Sequence, residues 1–356
     1  MKPTSGNYYV GLDHIRALAA FMVFTWHFVH MRNGQLSWPP PVPFSFLTEG
    51  HTGVALFMVL SGYLFAKILD GKSLLYGPFL WNRLIRLGPL LLVVLVICGV
   101  QAVLAKEETL LSYLGIVGSG FVLPVWPNGG WSIVCEFHFY LLLPLLLWLG
   151  KRTRLGLPAV LLGAIALRIV WRLTTGEVQS VAYPTIIGRI DQFVLGILAF
   201  QYRRYFTGRH LLCLAIIAGF GAFFWYFDYQ GGYYTGPSYP SPRWIWVYFC
   251  TIEGIGYATL IVWYDTSFQH SQGRLSRFVA AIGACSYSFY LLHFFFVEIV
   301  ARFINRHVIR LVTVDHTIAL APLGFLMILP VAYLSYRLIE MPFLRFRKPY
   351  RVDDAP

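Results

Sequence analysis

Two side chains in the apolar stretch GLDHIRALAAFMVFTWHFVH define the first chemical question: Arg16 and His27, eleven positions apart. At about 100° per residue, eleven steps come to about 1100°, only about 20° from whole turns, so on a helix both face one way, about 16 Å apart along the axis. One helix face then carries a guanidinium toward one end and an imidazole toward the other. Taken alone, the pair is equally well explained by an arginine that snorkels and a packing histidine held by a hydrogen bond.

Further candidates lie downstream. In WSIVCEFHFYLLLPLL, Trp131 and Ser132 mark a boundary and Glu136 lies about one turn deeper. Glu136 and Tyr140 are i,i+4 and share a face. A carboxylate at that depth needs a cation or a proton. His138 points about 200° away from Glu136 and reads as packing. In WNRLIRLGP, Arg83 and Arg86 are i,i+3 on one face. Forked guanidinium donors suit phosphate groups, and they equally suit plain topology anchoring. His51 opens HTGVALFMVLSGYLF, where Ser61 and Gly62 permit close helix packing. Arg189 and Asp191 lie in GRIDQFVLG, and Asp191 pairs most cheaply with an arginine. His293, in CSYSFYLLHFFFVE, is either a satisfied core histidine or a catalytic one. Glu340, in RLIEMPFLRFRK, reads as a structural salt bridge amid arginines.

These residues must be positioned by membrane-crossing helices. Of 356 residues, 57% are hydrophobic and only 12% charged, against about 25% charged in ordinary soluble domains. Disorder, collagen and coiled coil are excluded by the same composition. A crossing needs roughly 20 apolar residues. The expected class is an all-α polytopic membrane protein of about ten transmembrane helices around a central cavity. The expected spans are 12–31, 51–69, 85–104, 131–149, 157–174, 184–201, 210–228, 245–264, 278–301 and 317–339. Segment 110–125, broken by Gly and Pro, reads as re-entrant or interfacial. Residues 1–350 form one membrane domain and 351–356 a short tail. Five cysteines stand singly in apolar runs, without metal or CxxC spacing, and are expected as free buried thiols. Cys135 lacks a setting that would activate it as a nucleophile.

The net charge of +12 would raise nucleic-acid binding in a soluble protein. Here the basic residues fall between apolar stretches, and no nucleic-acid module is visible. Seventeen Lys and Arg lie in one set of loops and eight in the other. The positive-inside rule makes the first set cytoplasmic, with both termini. The cluster Arg302, Arg306 and Arg310 on the outer side runs against this pattern.

Taken together, GLDHIRALAAFMVFTWHF, GVALFMVLSGYLF, NRLIRLGP, WSIVCEFHFYLLLP, RIDQFVLGILA and SYSFYLLHFFFV, in that order, resemble the acyltransferase 3 family of integral-membrane O-acyltransferases. The resemblance covers residues 11 to 340. Arg16 and His27 match the family's Arg-x10-His pattern, Arg83 and Arg86 its Arg-x-x-Arg element, and Trp131, Ser132 and Glu136 its Trp-Ser-x-x-x-Glu element. His14 departs from the small residue usual at its position. No part of these 356 residues is expected to form the soluble hydrolase-like domain that some members append.

The resemblance implies O-acetylation or a related acylation: an acyl group, often acetyl, passes from acyl-CoA to a hydroxyl of a carbohydrate or glycan acceptor, as in polysaccharide modification. It implies a multi-pass protein of a bacterial inner (cytoplasmic) membrane. Arg83 and Arg86, with Arg16, would hold the CoA phosphates. His27 would be general base, with Glu136 orienting it or the acceptor. Trp131, Ser132, Tyr140, His51, Asp191 and His293 are the candidate substrate-binding residues. No metal or bound prosthetic group is required, and the partners are acyl-CoA, the acceptor and the lipid bilayer. A transporter or permease is the rival class, since charges and Gly/Pro-broken spans also suit a translocation path. A membrane scaffold that binds glycans without chemistry is a third. Topology-reporter fusions at Arg154 and Pro237 should report opposite sides of the membrane; the same side for both would overturn the layout.

Overall fold

The computed structural model describes residues 9–30, 40–234 and 239–353. Lys2, Arg32 and Pro237 lie outside these. In chain order the elements are α1 (Val10–His30), α2 (Ser45–Thr48), α3 (Gly53–Ile68), β1 (Lys72–Leu74), α4 (Tyr76–Leu104), α5 (Leu110–Ser119), α6 (Trp131–Arg152), α7 (Gly156–Thr175), α8 (Gln179–Ala182), α9 (Ile186–Gln201), α10 (His210–Tyr229), α11 (Ile245–Ser267), α12 (Arg274–Ala284), α13 (Ser286–His307), α14 (Val314–Ser335), α15 (Met341–Leu344) and β2 (Arg351–Asp353). A π-helical turn, Tyr336–Glu340, joins α14 to α15. The fold is all-α and polytopic.

Among the described residues, eight helical stretches are long and apolar enough to cross a membrane. The two other expected spans are α1 and α9, and each has a physical reason to differ. α1 carries Asp13, Arg16 and three histidines, yet most of its residues are buried by other helices. Its 21 residues reach about 31 Å, enough for the hydrocarbon layer. α9 has 16 residues and holds Arg189 and Asp191, both fully buried. Neither helix needs an apolar exterior, because protein rather than lipid surrounds it.

Three boundaries differ from expectation. α4 begins nine residues earlier than 85, so Arg83 lies about two turns and Arg86 about three turns inside the helix rather than at its start. The single span expected at 278–301 is two helices, α12 and α13, that meet at Cys285. The break follows from α1: a Cβ on Gly283 would sit 1.9 Å from the Asp13 carbonyl oxygen, so α12 lies backbone-to-backbone across α1. Segment 110–125 contains only the 10-residue α5, about 15 Å long and too short to cross. The expected tail pairs its first residues, 351–353, with β1 in an antiparallel register of Lys72 opposite Asp353 and Leu74 opposite Arg351.

α3 and α9 form the centre. A Cβ on Gly62 would come 2.0 Å from Phe193 O, and one on Gly196 2.1 Å from Val59 O. Small residues here let two backbones touch, which lipid-embedded packing exploits. Around them lie Phe139 and Phe193, stacked at 4.0 Å, and the aromatic cluster of Phe224, Phe227, Trp246 and Phe249. The five cysteines are free, four of them buried.

Two buried ion pairs lock α9 to its neighbours. Arg168 of α7 meets Asp191 at 2.6 Å, and Arg189 meets Glu253 of α11 at 3.1 Å, all four side chains fully buried. Thr251 also donates to Asp191, and Gln192 donates to Glu253 at 3.0 Å. Breaking one partner of a buried pair typically costs about 3–5 kcal/mol, because the other charge is stranded. Arg168→Met and Asp191→Leu should each lower the melting temperature in detergent sharply, and the double variant should recover much of the loss. Additive losses in the double variant would show that the pair is not coupled.

Candidate active site

The helices enclose a cavity of about 480 Å³. This lies within the usual range of small-molecule sites, about 300–1,000 Å³. One end is cationic. Arg83 and Arg86 of α4 point into it, as their shared face requires, together with Arg16 of α1 and Arg347 beyond α15. Arg83 lies over the rings of Phe65, Phe79 and Tyr140 at 5.3–5.8 Å and has no carboxylate partner among the described residues. Arg86 meets Glu340 at 3.3 Å. Glu340 is fully buried and also accepts from Ser288, so the expected structural salt bridge is present and links α4 to the last helices. Arg16 is paired with Asp13 one turn earlier in its own helix. His14, which departs from the resemblance, ties α1 to its surroundings: Nδ1 lies 2.8 Å from the Tyr264 hydroxyl and Nε2 3.0 Å from Ser276 O.

Midway, Glu136 projects from α6. Its Oε1 accepts from Tyr140, one turn on, and from Ser61 of α3 at 3.3 Å. Ser61 was expected only to ease packing; its hydroxyl instead meets the carboxylate. At the far end Ser132 Oγ lies 2.9 Å from Tyr290 OH, and both hydroxyls reach the Gly129 carbonyl oxygen at 3.0 Å. Six expected residues thus share one cavity: Arg16, Arg83, Arg86, Ser132, Glu136 and Tyr140.

The direct pairing of His27 with Glu136 is not what the side chains do. His27 is absent from the cavity lining and stands beyond Tyr290. Its Nδ1 lies 2.9 Å from Val23 O and 3.1 Å from His293 Nε2. His293 Nδ1 in turn lies 2.6 Å from Tyr290 O. Carbonyl oxygens only accept, so in the neutral rings this network assigns a proton to Nδ1 of both histidines. His293 Nε2 then accepts from His27 Nδ1–H, and the lone pair of His27 is on Nε2. The partner that fixes His27 is therefore a second histidine from α13, twelve helices later in the chain. Geometry of this kind has no spacing signal in the sequence.

The remaining candidates lie elsewhere. Asp191 is engaged by Arg168 and Thr251, away from the cavity. Trp131 packs on Tyr183 at 4.8 Å, with the Arg189 guanidinium 5.6 Å from its ring. His51 is fully buried among Trp26, Tyr183 and Tyr233, with Nε2 3.1 Å from Glu49 Oε2 in a contact too bent to be a hydrogen bond. Sequence reasoning missed Arg168 and Glu253, although both are charges inside expected spans. It also missed Tyr290 and Arg347 at the two ends of the cavity.

The side chains thus make a polytopic helical bundle with an internal cavity, cationic at one end and carrying a carboxylate and hydroxyls deeper in. The chain belongs to the acyltransferase 3 family: the family model Acyl_transf_3, described as an acyltransferase domain, matches residues 9–337. It is 27% identical over 319 residues to a Komagataeibacter xylinus protein named as the membrane-bound transacylase BcsY, covering 79% of this chain and 71% of that one. It is 29% identical over 196 residues to the peptidoglycan O-acetyltransferase OatA of Listeria monocytogenes, covering 47% of this chain and 29% of OatA. A Staphylococcus aureus (strain COL) protein named as an O-acetyltransferase is 28% identical over 178 residues, 42% of this chain and 27% of its own length. The chain thus spans under a third of the last two. No solved structure matches. The protein is an integral-membrane acyltransferase, which decides against the transporter reading.

His293→Phe keeps ring volume but removes one of the two acceptors of His27 Nδ1–H, leaving Val23 O. A net hydrogen bond of about 1 kcal/mol corresponds to a rate loss of roughly five- to tenfold. Acyl transfer by this variant should show that fall in kcat with the donor KM unchanged, and His293→Gln, which retains an acceptor, should recover part of it. An unchanged kcat in His293→Phe would make the contact mere packing.

Proposed function

We propose that the protein moves an acyl group, acetyl in the first instance, from acyl-CoA to a hydroxyl of a carbohydrate or glycan at a bacterial inner membrane, with both termini cytoplasmic. The observation that carries this reading is the single cavity with Arg83 and Arg86 at one end and Glu136 and Ser132 toward the other. The printed names of the relatives, transacylase and O-acetyltransferase, support the same class. The nucleotide of CoA stays at the cationic mouth, where guanidinium donors match its phosphates. The thin pantetheine arm runs inward and brings the thioester toward Ser132 and Tyr290.

The acceptor hydroxyl approaches from the His27 side. His27 Nε2 takes its proton as the oxygen attacks the thioester carbonyl. His293 accepts the Nδ1–H hydrogen bond that keeps the ring oriented while it becomes imidazolium. The C–S bond breaks, and the imidazolium returns the proton to the CoA sulfur. Glu136, held by Ser61 and Tyr140, positions the acceptor rather than the imidazole. Ser132 is a hydroxyl donor for the developing oxyanion.

The mouth arginines differ as probes. Removing Arg86 would strand the buried Glu340, so its loss mixes binding with folding. Arg83, stacked on aromatic rings, carries no such partner. His27→Ala should lower transfer of radiolabelled acetyl from acetyl-CoA by about 10² to 10⁴ in purified, folded protein, while acetyl-CoA affinity stays normal in His27→Ala and falls in Arg83→Gln. Surface glycans analysed by mass spectrometry with and without the gene identify the acceptor. Activity that tracks only the amount of folded protein would make His27 structural.

A further inference from the structure

Beyond α15 the chain turns back over the start of α4. The fixings are specific. Trp81 Nε1 donates to Phe346 O at 3.0 Å. Asn82 Nδ2 donates to Lys348 O at 2.7 Å, and Lys348 N donates to Asn82 Oδ1 at 2.9 Å, so one side chain holds both backbone groups of Lys348. Leu75 N donates to Tyr350 O at 2.9 Å, and residues 351–353 pair with β1. These residues form a strap anchored on both sides of Arg347. The anchoring presents Arg347 and Tyr350 to the cavity beside Arg83 and Arg86. The strap lies outside residues 9–337 that match the family.

The charge balance at this mouth is uneven. Among the described residues, Arg83, Arg86 and Arg347 converge on it beside the paired Arg16 and Asp13, and the carboxylate of Glu340 meets Arg86 and also attracts Arg347. The Arg347 guanidinium is pushed down to about 10, by burial first and then by the positive charges of Arg86 and Arg83. Like charges are held together at a cost that an anion lying between them would relieve. A single pair of guanidiniums clamps one phosphate group; a third, from an independent segment, extends the cradle toward a second.

We infer that the strap is part of the donor site, with Arg347 as a third guanidinium that binds the phosphates of the CoA nucleotide. This rests on the acyl-CoA reading above and adds to it a residue and a segment. The strap closes one wall of the mouth, so the nucleotide is held between α4 and residues 346–350 rather than on α4 alone. Arg347 acts on the phosphates only, far from the bond that breaks. Its loss therefore weakens donor binding and leaves the chemical step intact once the donor is bound.

The test uses full-length protein in detergent or nanodiscs and two donors: acetyl-CoA and S-acetyl-pantetheine, which keeps the thioester and lacks every phosphate. Arg347→Gln should raise KM and Kd for acetyl-CoA about tenfold, as the loss of one charge-assisted hydrogen bond of about 1.4 kcal/mol predicts. Its kcat with acetyl-CoA, and all its kinetics with S-acetyl-pantetheine, should match the parent protein. Arg347→Lys, which keeps the charge, should recover part of the affinity. Arg345→Gln is the control, since Arg345 lies over the Phe346 ring at 5.0 Å and does not line the cavity. Equal acetyl-CoA affinity in Arg347→Gln and the parent would overturn the inference alone. So would an equal loss with S-acetyl-pantetheine, which would mark a folding defect. Failure of the parent protein itself to bind acetyl-CoA would overturn the donor reading and this assignment with it.

Discussion

Charge inside a low-dielectric interior must be neutralised or turned toward a cavity, and the whole arrangement of helices obeys that requirement. Arg168 with Asp191 and Arg189 with Glu253 satisfy it by pairing. Arg83 satisfies it by facing the cavity, and Arg86 and Arg16 do both, facing the cavity while meeting Glu340 and Asp13. α9 is the hinge between the two solutions. Its polar residues engage α7 and α11, while Phe193 on the same helix lines the cavity and stacks on Phe139 of α6. The ionic seam therefore fixes the wall against which α6 places Glu136. A weakened seam would blur the geometry of a site that it never touches.

How much of this could be read from residues alone depended on the range of the interaction. Helices long enough to carry their own hydropathy were legible within a few residues, as α3, α6, α7, α10 and α11 demonstrate. The shared face of Arg83 and Arg86, and that of Glu136 and Tyr140, followed from helical period and are seen in the cavity. The break at Cys285 was not legible, because its cause is the Asp13 carbonyl of another helix pressing on Gly283. The early start of α4 was hidden by Gly77 and Pro78, which read as turn residues, and by Asn82, Arg83 and Arg86, which interrupt the hydropathy before the apolar run.

The site divided in the same way. Helical period put His27 on one face with Arg16 and Glu136 on one face with Tyr140, and that reasoning carried no information on azimuth between helices. The partners were decided by residues far apart in sequence: His293, which is 266 positions from His27, and Ser61, which is 75 from Glu136. An imidazole held by a second imidazole differs from one held by a carboxylate. Neither ring carries a negative charge, so the contact places no carboxylate near the far end of the cavity. The carboxylate is thereby released for another partner.

The contact between Asn82 and Lys348 spans 266 residues, and that separation bears on how the protein is made. α4 is synthesised and inserted long before the segment holding Glu340 and Arg347 exists. During that interval Arg86 has no counterion and Asn82 has no strap to hold. Both sit within the first turns of α4, where long side chains reach the headgroup region and water. Arg86 lies about 15 Å from the start of the 29-residue α4, a depth from which a long side chain can reach back to the interface, whereas one at the middle of the helix could not. The final shape of the mouth is thus a late event in biogenesis, dependent on the arrival of the last helices, and the early helices carry their cations at the depth that such a delay requires.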